Sequence, residues 1–193
     1  LIIMHDDNFL RTTGTDQQLY DLKSTELDDY NQAHIWMDWE KQVTPTLRQS
    51  LKIMRDFEHL EVEVKAVDTQ QQAEKWTSEL QQQLQGFEHT AVITSFDLKI
   101  LQALQQQNST FKRGLLIEND IGEQAIVHAL QLGCGQIGWM NQLATDNIIQ
   151  KTLNAHLKIS VWTVNDIERA KHLQNQGIHG LITDFPKLML TAL

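Results

Sequence analysis

Near its amino terminus the chain reads LIIMHDDNFLRTT, an apolar run that ends in His5-Asp6-Asp7 and leads directly to Arg11-Thr12-Thr13. An imidazole titrates close enough to neutral pH to accept or deliver a proton, so His5 is a candidate acid or base. A histidine at a strand end is also an ordinary surface residue, and composition alone leaves both readings open. Further along, Glu61, Glu63 and Lys65 alternate in LEVEVKAV. Alternation puts all three on one face of a strand. On an edge strand that face is simply solvated. Turned into a barrel, a carboxylate there needs a cation beside it, and a hard oxygen donor suits Mg2+ or Ca2+. Two later strand ends carry polar groups, VWTVND from Val161 and GLITDFP from Gly180. Trp162 reads by default as packing, Asn165 as the cap of the helix DIERAKHL, Asp184 as a structural turn, and Arg11 as an anchor of its loop.

The other histidines, His34, His59, His89, His128, His156, His172 and His179, show no metal-ligand spacing with cysteine or with each other. Trp36 and Trp39 in HIWMDWE form an apolar cluster before Pro45, expected to pack as a small insertion rather than to border the mouth of a pocket. The single cysteine, Cys134, cannot form an internal disulfide, so the chain is compatible with the cytoplasm. A formal charge of -9, with no run of Lys or Arg, argues against a nucleic-acid partner. It also means that an anionic substrate must be met by a local cation. No apolar run reaches the length of a membrane span. At 193 residues the chain fits one domain with a sizeable core.

The elements that carry these groups decide which of them can meet. Short apolar or β-branched runs (LIIMH, LEVEVKAV, TAVITSF, FKRGLLIE, GQIGWM, KISVWTVN, HGLITDF) alternate with segments of helical period, several of which close on glycine. The helical segments are TPTLRQSLKIMRDFEHL, DTQQQAEKWTSELQQQLQGF, DLKILQALQQQN, GEQAIVHALQLG, ATDNIIQKTLNAHL and NDIERAKHLQNQG. Alternation of this kind predicts an α/β fold with parallel strands. An open doubly wound sheet and a closed (β/α)8 barrel both satisfy it. Nearly every strand ends in polar residues, and a barrel brings all such ends to one rim, which favours the barrel.

In this order, the motifs HDDNFLRTT, TPTLRQSL, EVEVK, VITSFD, VWTVND and GLITDFP resemble the glycerophosphodiester phosphodiesterase family of TIM-barrel hydrolases, over essentially the whole chain. The resemblance implies a strand ending in His-Arg-Gly and another bearing Glu-x-Asp before LIIMH, which would be the return arm of a hairpin. The expected architecture is therefore a (β/α)8 TIM barrel lacking its first two strands, with residues 1–193 forming one domain that is incomplete at its amino end. Glu61 departs from the asparagine of many relatives, and His179 from an aspartate.

By resemblance, His5 is one of two acid/base histidines, Glu63 a ligand of one divalent cation (Mg2+ or Ca2+), Lys65 a phosphate contact, and Trp162 a wall on the glycerol side. The implied reaction is metal-dependent hydrolysis of a small glycerophosphodiester to glycerol 3-phosphate and an alcohol. These 193 residues alone are expected to be inactive. Two alternatives stand beside this reading: a barrel retained as a binding module without chemistry, and a related phosphodiesterase acting on intact phospholipids.

Overall fold

The computed structural model describes residues 1–193, which form two compact units, Leu1–Phe57 and Glu58–Leu193. In the second unit six strands alternate with helices: β1 (Leu60–Glu63), α3 (Gln70–Gln83), β2 (Ala91–Ser95), α4 (Leu98–Gln106), β3 (Lys112–Ile117), α5 (Gln124–Gln131), β4 (Gln136–Met140), α6 (Asp146–Asn154), β5 (Lys158–Trp162), α7 (Ile167–Asn175), β6 (Gly180–Leu181) and α8 (Pro186–Ala192). All five strand pairings are parallel and follow chain order.

Local chemistry explains where the helices start and stop. Thr69 at the start of α3 accepts from the Gln72 amide while Gln72 reaches back to the Thr69 amide, a reciprocal cap. Thr145 and Asp166 cap α6 and α7 with their side-chain oxygens. After α3, α5 and α7 the chain turns through Gly86, Gly133 and Gly177 at positive φ, the left-handed conformation that glycine adopts without cost. Where the sequence offers no glycine, after α4 and α6, Asn108 and His156 take that conformation instead.

One set of strand side chains faces the helices. Ile93, Leu115, Ile137, Trp139, Ile159 and Val161 are buried together with Leu101, Ala125, Ala129, Ile149, Ala170 and Leu173. Trp139 places its indole N–H 3.3 Å from the Thr152 hydroxyl of α6, so even the largest core residue has a partner for its polar atom. The opposite face is concave. Glu61 on β1 accepts from Gln136 on β4 at 2.6 Å and from Ser160 on β5 at 3.4 Å. In a flat sheet those strands lie three and four spacings from β1, about 14 and 19 Å away. Only a curled sheet brings the groups within hydrogen-bond reach, and the six parallel strands form a half-barrel.

The first unit is built differently. It holds α1 (Leu10–Thr13), α2 (Leu47–Ile53), two 3-10 turns (Leu19–Asp21 and Ser24–Asp29) and two isolated antiparallel bridges, Ile2 with Thr46 and Asn8 with Gln18. Here three expectations change. LIIMH is not a strand, because no other segment forms a ladder with it: Ile2 makes an isolated bridge to Thr46, with single backbone bonds to Pro45 and Leu47 beside it. The helix expected over TPTLRQSLKIMRDFEHL covers only Leu47–Ile53, opened by the Thr46–Gln49 reciprocal cap. Trp36 and Trp39 do not pack: they stand 50% and 66% exposed in successive turns, which present no common buried face. In the second unit, HGLITDF shrinks to the two strand residues Gly180–Leu181, and α8 follows it.

Candidate active site

At the carboxyl end of β1, Lys65 donates to the Glu63 carboxylate at 2.6 Å, and about a third of each side chain remains open (34% and 32%). The alternation read from LEVEVKAV is thus realised, with Glu61 deeper on the same face. At the end of β5, Trp162 donates its indole N–H to the Gly138 carbonyl on β4 (3.2 Å) and meets Phe96, just past β2, edge to face at 5.4 Å. The peptide bond between Trp162 and Thr163 is cis. Half-buried Trp162 is held by a hydrogen bond on one side and an aromatic ring on another, so its position is set by the curl of the sheet.

Ser95 is buried and donates to the Val64 carbonyl, while Asn141 accepts from Arg169. Both strand ends are committed to structure. Asn165 is not the helix cap, a correction to the sequence expectation. Asp166 caps α7, and Asn165 instead donates to Asp184 at 2.7 Å and accepts from Thr183 and the Asp184 amide. The caps differ because the Asp166 oxygen reaches the Arg169 amide, whereas Asn165 is turned toward the loop after β6. Asp184 sits in a turn closed by its own partners.

In the first unit, His5 is 80% exposed at its side chain and its Nδ1 lies 2.6 Å from Asp6. Arg11 grips the same carboxylate through two bonds, Nε at 2.6 Å and a terminal nitrogen at 3.0 Å. Arg11, and then His5, hold the Asp6 acid against the opposing effect of burial at about 2, well below the ordinary carboxylate value. The carboxylate holds the imidazole at Nδ1 while most of the ring stays in solvent, a disposition compatible with proton transfer.

A divalent cation requires several oxygen donors. No group of three or more His, Cys, Asp or Glu side chains is placed to share an ion, and the near partner of Glu63 is an ammonium. These residues do not form a complete metal site by themselves. Cys134 is buried and its thiol is pushed up to about 12 by burial, which keeps it out of any nucleophilic role.

Sequence reasoning did not single out Gln136, Gly138 or Ser160, all of which face the concave side. The signal was present: Gln136 and Ser160 are polar residues inside otherwise apolar strands, and Gly138 follows Gln136 by the two-residue period of a strand.

The profile of the glycerophosphoryl diester phosphodiesterase family matches residues 1–188. YhdW of Bacillus subtilis (strain 168), which carries a provisional glycerophosphodiester phosphodiesterase name, is 24% identical over 198 residues, spanning 98% of this chain and 79% of its own. Among solved structures, an Oleispira antarctica phosphodiesterase in complex with its product sn-glycerol-3-phosphate aligns with a TM-score of 0.82 at 19% identity, covering 99% of this chain and 78% of that one. A glycerophosphodiester phosphodiesterase from Agrobacterium tumefaciens aligns at 0.76 and 21% identity, covering 98% and 80%. No helix is long and apolar enough to cross a membrane. With strand order, concave face and family profile in agreement along the chain, it belongs to the glycerophosphoryl diester phosphodiesterase family.

Proposed function

We propose that the protein hydrolyses water-soluble glycerophosphodiesters to glycerol 3-phosphate and an alcohol. The observation that carries this reading is the family match over residues 1–188. The Glu63–Lys65 pair and Trp162 stand at carboxyl ends of parallel strands, where barrels of this kind do their chemistry, and so support it. His5, oriented by Asp6, serves in proton transfer to the leaving alkoxide or from the attacking nucleophile. Lys65 meets the phosphate as a point charge, and Trp162 offers a flat apolar wall to the glycerol carbons.

In this reading, residues 1–193 are part of one barrel domain. The six strands present would be part of an eight-stranded barrel whose other two strands would carry a second histidine and further carboxylates. Glu63 would supply one oxygen ligand to a Mg2+ or Ca2+ ion that such carboxylates would complete. The 193 residues alone are inactive, and the setting is cytoplasmic, since the single thiol needs no oxidising compartment.

The test is release of glycerol 3-phosphate from glycerophosphocholine and glycerophosphoethanolamine by the intact protein, with intact phospholipid as the comparison substrate. His5→Ala is expected to lower kcat by about 10²–10⁴-fold. The melting temperature should hardly move, because the ring is mostly in solvent. Near wild-type turnover by the variant would remove His5 from the reaction. Cleavage of intact lipid alone would favour the phospholipid reading, and no turnover of either substrate would favour a binding module.

A further inference from the structure

The concave face of the half-barrel has two tiers. The upper tier is Glu63 on β1, Gly138 on β4 and Trp162 on β5. Two residues deeper on the same three strands lie Glu61, Gln136 and Ser160. The Gln136 amide donates to Glu61 at 2.6 Å and to the Ser160 hydroxyl at 3.3 Å, and Ser160 donates to the second Glu61 oxygen at 3.4 Å. Gln136 and Ser160 are 4% and 1% exposed, so these bonds form away from solvent. His59 adds a longer contact to Glu61 at 3.4 Å.

A carboxylate in such a place costs desolvation that an apolar side chain of similar volume would avoid. What it provides is a directional link between strands that are not neighbours, where apolar packing would fill space without fixing a length. Directly above the link, Gly138 lacks a side chain. A Cβ there would stand 2.5 Å from Leu116 Cδ2, 3.1 Å from the Ser160 hydroxyl and 3.7 Å from the Trp162 ring. The bare backbone leaves room for the Leu116 side chain and the Ser160 hydroxyl, and the Gly138 carbonyl accepts from the Trp162 indole.

We propose that Glu61 is a positioning residue: through Gln136 and Ser160 it sets the separation of β1 from β4 and β5, and with it the place of Trp162 relative to Glu63 and Lys65. This rests on the function proposed above, in which Trp162 and Lys65 meet the same substrate. Glu61 touches no reacting atom.

The test uses the intact protein labelled with fluorotryptophan, with the Trp162 resonance assigned by its loss in Trp162→Phe. Glu61→Leu keeps the volume and removes the link, whereas Glu61→Gln keeps an acceptor for Gln136. Glu61→Leu should shift the Trp162 resonance and raise KM for glycerophosphodiesters about tenfold, with kcat within about threefold. Glu61→Gln should restore both to near wild type. An unmoved resonance and KM in Glu61→Leu would overturn the proposal and leave the tier as filling. If Glu61→Leu fails to fold, Gln136→Leu removes the 2.6 Å link at its other end, and an unmoved Trp162 resonance there overturns it equally. If the wild-type protein turns over no glycerophosphodiester, the proposed function fails, while the resonance still decides whether Glu61 positions Trp162.

Discussion

In Glu58–Leu193 each strand pairs in parallel with its neighbours in chain order, and from β3 onward the strands and helices share one apolar cluster. In Leu1–Phe57 no ladder exists, and polar side chains take over the work of joining distant backbone. Asn31 accepts from the amides of Ala33 and Gln42, Gln32 bridges Thr12 and Thr44, and Asn8 accepts from the Leu10 amide while donating to Asp16. The contrast teaches where each region is vulnerable. A periodic core fails when apolar volume is removed, and an irregular loop assembly fails when a single polar bridge is removed.

The largest effect should come from the core. Trp139 is 1% exposed and packs among the residues between β4 and α6. Trp139→Ala removes that volume and leaves the Thr152 hydroxyl without the indole, for an expected loss of about 3–5 kcal/mol. Urea unfolding measures it. A loss under about 1 kcal/mol would show that the cluster can collapse onto the gap and would blur the contrast.

A polar bridge should come next. Asn31→Ala strips an acceptor from two backbone amides eleven and two residues away, with an expected loss of about 1–3 kcal/mol. Amide exchange at Gln42 is the local measure. The matched control in the second region is Gln150→Ala, which loses only an exposed side-chain bond to Gln176 and should stay within about 0.5 kcal/mol of wild type. Equal losses in the two variants would erase the distinction.

The same contrast explains how much could be read from the sequence. LEVEVKAV, TAVITSF, FKRGLLIE, GQIGWM and KISVWTVN all became strands, the first marked by its alternation and the others by short apolar and β-branched runs of the kind that parallel strands bury on both faces. Their helices followed from the 3.6-residue period, helped after α3, α5 and α7 by closing glycines. LIIMH carries the same composition and is not a strand, since pairing is a property of the partner and not of the segment. Trp36 and Trp39 look like a packing cluster, but turns set their direction and turns have no period to read. That Glu63 and Lys65 share one face followed from alternation, and their place in a site from the family resemblance. The Glu61 tier did not, because its bonds run between strands 75 and 99 residues apart in the chain.

The smallest expected effect separates the two regions by pH. In the first, Asp6 is held at about 2 by Arg11 foremost, so its contribution is complete above the ordinary carboxylate value of 3.8 and is lost only as pH falls through about 2. In the second, His179 accepts from the Ile159 amide through Nδ1 while its own amide donates to the Ile159 carbonyl. Although the residue is largely exposed, that inner edge is desolvated, and burial, followed by the charge of Lys158, lowers the imidazole below its ordinary 6.5. A histidine lowered in the fold favours its neutral form, so its contribution is complete above 6.5 and is lost as pH falls through and below that value. Between about pH 7.5 and pH 5 the Asp6–Arg11 fork should therefore stay whole while the β5 to β6 connection weakens. Amide exchange at Ile159 and His179 should rise over that interval in the wild type. His179→Asn has no proton to take up and should flatten the rise, and an unchanged pH slope in that variant would show that the weakening arises elsewhere.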